Sequence, residues 1–347
     1  MRNHNLHAIG WKPFFQQQVT PAALETGVVA RVSAHYSSEV LMLGEAGEFR
    51  LHVQLAESAG PVVVGDWLVL DAGDRRATQR LERQTLLIRK AAGEEVKSQD
   101  IAANLDTIFI VSSCNEEFNL SRIERYLALA VQAGVAPVVV LTKADLCDDP
   151  DVFRSQAEQL QIGLLVETID ARQPAQADPL KRWCGPGQTV AMLGSSGVGK
   201  STLANALGAS GLDTGEIRES DSKGRHTTTA RSLHLLPSGG VLMDTPGVRE
   251  LQLPDCEDGI QDVFEDVVEL VDNCRFNDCS HESDAGCAIA VAIGSGVLDE
   301  RRYASFKKLN AEQARNATSL AQRRRRERDT GRMYKSIIKH KRRQRED

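Results

Sequence analysis

The pattern of apolar and polar positions divides the chain into segments of different character. Residues 1–25 show no clear period, and we expect them to form a flexible lead. From residue 26 to about residue 92, short alternating runs such as TGVVARVSA, SEVLML and EFRLHVQL are separated by Gly, Ser and Asp. With VVVGDWLVLDA and ATQRLER they make five runs, which is typical of a small β-barrel. We therefore predict a barrel over residues 26–95.

From about residue 97 onward, continuous apolar runs alternate with helical patterns. The runs TIFIVSS, APVVVL, GLLVETI and TVAML are apolar almost throughout, as in strands that are buried on both faces. The segments LSRIERYLALAVQAG and FRSQAEQLQI have helical spacing, and Gly134 stands where the first helix would end. SLHLLPSGGVLMDTPG predicts a hairpin. This alternation predicts an α/β domain with a mostly parallel sheet over residues 96–253.

A third pattern begins after Pro254. Apolar residues recur there at helical spacing, at Ile260, Val263, Phe264, Val267, Val268 and Val271. The chain carries eight acidic residues and no basic ones between Asp255 and Asp272, so we expect a helix with an acidic outer face. A cysteine-rich loop and a long polar helical stretch follow. Residues 254–347 are therefore predicted to form an α-helical unit.

Composition and charge restrict the class of protein. The chain is 41% hydrophobic and 26% charged, and it contains no apolar run of membrane-spanning length. Its amino-terminal segment lacks the apolar core of a signal peptide, so we expect a cytoplasmic protein without a membrane partner. The net charge of −6 conceals an asymmetry, because residues 321–347 carry twelve Lys or Arg against four Asp or Glu. This basic tail favours a nucleic-acid partner over the alternative of a merely solvated end.

Basic residues also occur at intervals within the predicted barrel: Arg31, Arg50, Arg75, Arg76, Arg80 and Arg83. Such a distribution favours a barrel of the oligonucleotide-binding (OB) type. The alternative is a β-domain that makes only protein contacts.

The segment GSSGVGKST matches the phosphate-loop pattern G-x-x-x-x-G-K-[ST], and it lies between an apolar strand and a helical stretch. The glycines would let the backbone wrap a phosphate with its N–H groups pointing inward. Lys200 would reach the terminal phosphates, and the Ser201 hydroxyl would hold Mg²⁺. The expected nucleotide-binding residues are Gly194, Ser195, Ser196, Gly197, Val198, Gly199, Lys200, Ser201 and Thr202.

Two later segments have the character of nucleotide-sensing switches. In LMDTPG, Asp244 ends a strand and would hold Mg²⁺ as a Walker-B carboxylate does, while the Gly247 N–H would sense the terminal phosphate. In GRHTTTARS, either Thr228 or Thr229 would cap Mg²⁺ while the terminal phosphate is present. The alternative for the second segment is a solvated, threonine-rich loop.

The tetrapeptide TKAD, residues 142–145, matches a base-recognition loop. The Asp145 carboxylate would accept two hydrogen bonds from guanine, a donor pair that adenine lacks. The stem of Lys143 would lie over the base, Thr142 takes the place of the usual Asn, and Ala144 completes the loop. The base loop usually follows the phosphate loop, whereas here it precedes it by 52 residues. A site at the carboxyl ends of parallel strands depends on strand positions and not on chain order, so a permuted chain would keep the pocket.

Four potential metal ligands lie close together in the pattern C-x4-C-x-H-x5-C: Cys274, Cys279, His281 and Cys287. Three thiolates and one imidazole suit tetrahedral Zn²⁺ and leave no open position, so we expect a structural metal. Unrelated thiols are the alternative. The other cysteines are scattered, and we expect them to be reduced.

The order TKAD, GSSGVGKST, GRHTTT, DTPG resembles that of the circularly permuted GTPases. With VGDWLVL near the N-terminus and CRFNDCSHESDAGCAI near the C-terminus, the chain resembles the RsgA/YjeQ family in particular, from about residue 26 to about residue 303. The resemblance implies an OB barrel, a permuted P-loop GTPase with motif order G4-G1-G2-G3, and an α-helical zinc domain. It also implies that the protein acts in late maturation of the small (30S) ribosomal subunit and binds 16S rRNA. The protein would hydrolyse GTP to GDP slowly, and the subunit would stimulate that hydrolysis. We expect a monomer.

The chain departs from the family pattern at three positions. Thr142 replaces Asn, and ETIDARQP lacks the Ser-Ala of a second base-contacting loop, so no residue is assigned there. Asp284 and Ala285 stand where Glu-Pro is common, which affects the expected local turn and not the ligands.

The residue that orients the attacking water does not follow from the usual GTPase motif. Ras-like enzymes orient the attacking water with a Gln just after the DxxG turn, where this chain has Val248. The resemblance points to His226 as the catalytic residue, together with Lys200; a solvated loop histidine is the alternative. We predict a Mg²⁺-dependent GTPase of ribosome assembly. One alternative is a nucleotide-sensing RNA-binding module with negligible hydrolysis. The other is an ATP-using P-loop enzyme, which Asp145 disfavours because its carboxylate would select guanine.

Overall fold

The computed structural model describes residues 5–90, 98–209, 231–244, 256–281 and 284–316. Its strands are β1 (Gly27–His35), β2 (Glu39–Gly44), β3 (Gly47–His52), β4 (Trp67–Asp71), β5 (Ala77–Arg80), β6 (Leu86–Lys90), β7 (Ser98–Ala103), β8 (Thr107–Ser113), β9 (Ala136–Thr142), β10 (Leu165–Thr168), β11 (Thr189–Leu193), β12 (Ser232–Leu235) and β13 (Val241–Asp244). Its α-helices are α1 (Pro13–Gln16), α2 (Pro21–Thr26), α3 (Val53–Ala56), α4 (Leu120–Gln132), α5 (Pro150–Glu158), α6 (Lys200–Ala206), α7 (Glu257–Val263), α8 (Glu265–Asp272), α9 (Ala288–Gly294) and α10, described over residues 300–316. Short 3-10 helices occupy Leu6–Ile9, Glu57–Ala59, Ala144–Leu146 and Pro174–Trp183.

The five strands predicted for the N-terminal barrel are present. They pair antiparallel, with β1 between β2 and β4, β3 beyond β2, and β5 beyond β4. Strand β1 also pairs with β12 through Ala34 and Ser232, so the barrel strands continue into the sheet of the α/β domain. The hairpin of β6 and β7 forms a separate two-stranded sheet.

Residues 5–26 differ from the flexible lead that the sequence predicts, because they form three short helices against the barrel. Ile9 and Phe15 are at most 1% exposed. The Trp11 ring meets the buried Trp67 ring edge-on, with 4.8 Å between ring centroids. These apolar residues are too few and too irregularly spaced to show a helical period, but they cover one face of β4.

Arg31 is buried, although its place on the barrel suggested contact with nucleic acid. Its guanidinium donates to the carbonyls of Ile9 (2.7 Å), Gly65 (3.2 Å) and Asn104 (3.0 Å) and to the Thr189 hydroxyl (2.8 Å). Burial lowers the pKa of Arg31 to about 10. Arg31 therefore joins the N-terminal helices, the barrel and the start of β11.

The mostly parallel sheet predicted for the α/β domain is confirmed. Strands β10, β9, β8, β11 and β13 lie side by side in that order and run parallel, and β12 forms a hairpin with β13. Both faces of β8 are buried: Ile108 and Ile110 face the core under α4, while Phe109 and Val111 face the core under α6. This two-sided burial explains why the strands are almost uniformly apolar.

The acidic segment after residue 256 is two helices instead of the single one predicted. Helix α7 ends and α8 begins at Phe264, whose φ of −111° and ψ of 32° are not helical. The Phe264 ring is fully buried, lies 5.6 Å from the Phe306 ring and has the Arg302 guanidinium over its face. Packing against α10 thus accounts for the bend, and the acidic side chains still face outward.

Helices α4 and α10 are joined by a buried ion cluster. Glu124 is 0% exposed and accepts hydrogen bonds from Arg301 (3.0 Å) and Arg302 (3.1 Å). Arg302 also pairs with Asp266 at 2.6 Å.

Among the described residues, no helix combines the length and apolar content that a membrane span requires.

We expect Glu124→Gln to loosen α10, because the change leaves two arginines without their buried carboxylate. The free energy of opening of residues 300–316, measured by hydrogen exchange, should fall by about 3 kcal/mol. Glu158→Gln is the control, since the exposed Glu158–Arg154 pair contributes less than about 1 kcal/mol. Equal effects from the two variants would contradict this account of α10.

Candidate nucleotide site and metal centre

The carboxyl ends of β9 and β11 bring the predicted base loop and phosphate loop together. Thr142, the last residue of β9, is 1% exposed. Its hydroxyl lies against the carbonyl of Val198 in the phosphate loop and 3.1 Å from the carbonyl of Ser112 at the end of β8. Thr142 therefore ties the base loop to the phosphate loop across the intervening strand.

The phosphate loop follows β11 and leads directly into α6. Gly197 and Gly199 have φ angles of 80° and 93°, a left-handed region that favours glycine. A Cβ atom at Gly194 would lie 2.3 Å from the Val111 carbonyl oxygen, so the first glycine permits close approach to β8. The Lys200 ammonium donates to the Gly194 carbonyl at 2.7 Å and to the Ser195 carbonyl. The loop is thus a compact backbone turn with its lysine folded across it.

Lys143 and Asp145 occupy the turn after Thr142. Lys143 has a φ of 58°, and the short 3-10 helix Ala144–Leu146 follows it. The Ala144 N–H donates to the Ile169 carbonyl at 3.4 Å, which places the loop after β10 beside the base loop.

Arg172 forms an ion pair with the Asp145 carboxylate. It belongs to the ETIDARQP segment, for which no second base-contacting residue was predicted. The Arg172 side chain is 64% exposed and also lies 3.3 Å from Asp170. Asp170 accepts the backbone N–H of Arg172 at 3.0 Å and the Gln173 amide at 2.9 Å, and the pKa of Asp170 is lowered chiefly by that backbone hydrogen bond.

The predicted magnesium and switch residues are only partly described. Asp244 ends β13 next to the phosphate-loop strand, and it stands opposite Ser232 of β12. His226, Thr228, Thr229 and Gly247 lie outside the described residues, as does the basic tail at 321–347.

Cys274, Cys279, His281 and Cys287 converge, with their ligand atoms all within 4.8 Å of one another. The His281 Nδ1 lies 3.4 Å from the Cys274 sulfur and 3.7 Å from the Cys287 sulfur. A tetrahedral Zn²⁺ would hold a sulfur and a nitrogen about 3.5 Å apart, so these four side chains could hold one zinc ion.

Two further contacts shape the cysteine loop. The Asp284 carboxylate accepts from the Ser280 N–H (2.7 Å) and hydroxyl (2.6 Å), so Asp284 is held against Ser280 next to the cysteine cluster. The His281 ring meets the Tyr303 ring of α10 edge-on at 6.3 Å between centroids. The cluster is thereby attached to the helix that carries Arg301 and Arg302.

The fold and this site define a P-loop GTPase in which the base loop precedes the phosphate loop. The RsgA GTPase family model matches residues 80–254. The chain belongs to the RsgA GTPase family.

Two related proteins are similar in sequence to this chain over most of its length and most of their own. The small ribosomal subunit biogenesis GTPase RsgA 2 of Vibrio parahaemolyticus is 51% identical over 97% of this chain and 94% of its own. RsgA of Mesorhizobium japonicum is 44% identical over 90% of this chain and 91% of its own.

Solved structures share the fold. The crystal structure of YjeQ from Thermotoga maritima has a TM-score of 0.59 at 24% identity and covers 83% of this chain and 99% of its own. That of YloQ, described as a circularly permuted GTPase, has the same TM-score and identity and covers 83% and 95%. The expected permuted architecture is therefore confirmed.

We expect Arg172→Ala to tighten guanine nucleotide binding, because the arginine competes with the base for the Asp145 carboxylate. An exposed ion pair contributes up to about 1 kcal/mol, which corresponds to roughly a fivefold lower Kd. Titration with GDP at low salt measures it, and the difference should shrink at about 0.5 M salt as the pair is screened.

Arg182→Ala is the matched control, since Arg182 is similarly exposed and its carboxylate partner is Glu167 of β10 and not Asp145. Weaker binding by the Arg172 variant would show that the arginine instead holds Asp145 in place.

Proposed function

We propose that this protein hydrolyses GTP with the help of Mg²⁺ and acts in the late maturation of the small ribosomal subunit. The observation that carries the proposal is the hydrogen bond from Thr142 to the phosphate loop. It holds a guanine-selective carboxylate and a phosphate cradle in one site at the carboxyl edge of a parallel sheet, where nucleotides bind in such folds.

Residues of this chain can bind the phosphates, recognise the base and hold Mg²⁺. Backbone N–H groups of residues 194–202 bind the phosphates, Lys200 neutralises their terminal charge, and Asp145 reads the base. Ser201, Asp244 and either Thr228 or Thr229 would hold Mg²⁺, whose chemistry is to neutralise the phosphate oxygens.

The remaining roles concern the terminal phosphate and the attacking water. Gly247 senses the terminal phosphate, and His226 orients the water. Neither role needs a cofactor beyond Mg²⁺.

The ribosomal role rests on the names of the relatives and on the charge of the chain. Relatives that cover nearly the whole chain are named small ribosomal subunit biogenesis GTPases. The basic tail is suited to 16S rRNA, because clustered Lys and Arg displace counterions from a phosphate backbone. We propose a cytoplasmic monomer in which short N-terminal helices precede an OB barrel at 26–95, a GTPase domain at 96–253 and a zinc-binding unit at 254–347.

Turnover of GTP and ATP, measured with and without purified small subunits, tests the function. We expect slow GTP hydrolysis that the subunit accelerates, and no comparable ATP turnover. Asp145→Asn is the informative variant, because an amide cannot accept both guanine hydrogen bonds, and its GTP affinity should fall at least about tenfold. A preference for ATP would contradict the proposal, and nucleotide binding without turnover under any condition would favour a nucleotide-sensing module.

We further propose that the metal at Cys274, Cys279, His281 and Cys287 is one structural Zn²⁺. Four protein ligands leave no position for water or substrate, and the short polar loop has little apolar surface to order it.

Cys279→Ser should therefore lose about one equivalent of zinc per chain, measured by elemental analysis, and α9 should lose protection in hydrogen exchange. Cys147→Ser, which changes a cysteine outside the cluster, should keep its zinc. Retention of zinc by the Cys279 variant would exclude this ligand set.

A further inference from the structure

Helix α4 presents an arginine to the phosphate loop. The Arg122 guanidinium donates to the Ser195 hydroxyl at 2.6 Å, and Ser195 is the second residue of that loop. The Asn119 side chain caps the helix by accepting the Arg122 N–H at 2.9 Å. The start of α4 is thus fixed beside the loop, while the Arg122 side chain extends from the surface.

The charge of Arg122 has no carboxylate partner among the described residues. Several other exposed arginines do have one, as in the pairs Arg50–Glu39, Arg154–Glu158 and Arg182–Glu167. A guanidinium has five N–H donors, and the Ser195 hydroxyl uses one of them. An unpaired cation with spare donors beside an anion-binding loop is complementary to a phosphate.

The backbone that carries Arg122 is held in position by its neighbours. Two residues further along α4, the buried Glu124 binds Arg301 and Arg302 of α10. Arg125 forms a second ion pair with Glu312 of α10 at 2.6 Å. The backbone of Arg122 is therefore already in place beside the phosphate loop, and contact with a bound phosphate requires reorientation of the Arg122 side chain alone.

We propose that Arg122 contacts the terminal phosphate of bound GTP and stabilises the charge that develops there during hydrolysis. The inference rests on the proposed GTPase function. Phosphoryl transfer places negative charge on the oxygens of the terminal phosphate, and in P-loop enzymes an arginine commonly stabilises that charge.

Arg122 exchanges no proton or electron in the reaction. A water oxygen bonds to the terminal phosphorus, and the bond from that phosphorus to the bridging oxygen of GDP breaks. The water protons end on the phosphate product and the solvent. Arg122 remains protonated and binds the phosphate oxygens more strongly as negative charge accumulates on them.

Single-turnover GTP hydrolysis by Arg122→Ala tests the proposal in the full-length protein. We expect a rate about 10²-fold lower than that of the wild type, with GDP affinity within about twofold. GDP with aluminium fluoride, which imitates the transferring phosphoryl group, should bind at least about tenfold more weakly. Arg122→Lys should recover part of the rate, and Arg154→Ala, on the surface of α5, should behave as the wild type.

Ser195→Ala separates a direct contact from an effect transmitted through the loop. This variant loses the same hydrogen bond but keeps the Arg122 charge. If Arg122 acts on the phosphate, adding Arg122→Ala to Ser195→Ala should slow hydrolysis by about 10²-fold again. The proposal is wrong if the double variant is no slower than Ser195→Ala, or if Arg122→Ala alone stays within about twofold of the wild type.

Binding measurements distinguish failure of this inference from failure of the proposed function. If the wild type hydrolyses no GTP with or without small subunits, the proposed function fails and the affinities for GTP and GDP decide the role of Arg122. A direct contact requires Arg122→Ala to weaken GTP binding about tenfold more than GDP binding. Equal losses for the two nucleotides would overturn the inference.

Discussion

The parallel alignment of β9, β8, β11 and β13 is the constraint on which the site depends. It places the carboxyl ends of these strands at one edge, so loops far apart in sequence become neighbours. The bond from the Thr142 hydroxyl to the Val198 carbonyl is the direct expression of that geometry. A pocket that depends on strand positions tolerates a changed chain order, which is why the base loop can precede the phosphate loop in a functional GTPase fold.

Features encoded by short, contiguous patterns could be predicted from the sequence. The five barrel strands follow from alternation, and the parallel strands follow from uninterrupted apolar runs such as that of β8. The cysteine cluster was predictable because all four candidate ligands lie within one short segment. The composition of TKAD and GSSGVGKST limits their chemistry, and the fold then brings these two segments together.

Features that depend on distant partners could not be predicted. Arg31 looked like a surface cation because its acceptors, among them Thr189, lie on elements that only the fold brings near. The same applies to Arg172 at Asp145 and to Glu124 between two arginines of α10. The N-terminal helices escaped detection because they are shorter than the window in which a helical period can be recognised. The bend at Phe264 likewise arises from tertiary packing and not from any helix-breaking residue.

The strand order also has a consequence for how the chain assembles during synthesis. Strands β8, β9 and β10 emerge consecutively and can pair at once, whereas β11, which fills the other side of β8, begins at Thr189, about 75 residues after β8 ends. At translation rates of 5–20 residues per second, that side of β8 waits about 4–15 s for its partner. The central strand of the sheet is therefore a temporary edge on the nascent chain. Helix α4 can cover one face of β8 in that interval, whereas the face that holds Phe109 and Val111 stays exposed until β11 and α6 have been made.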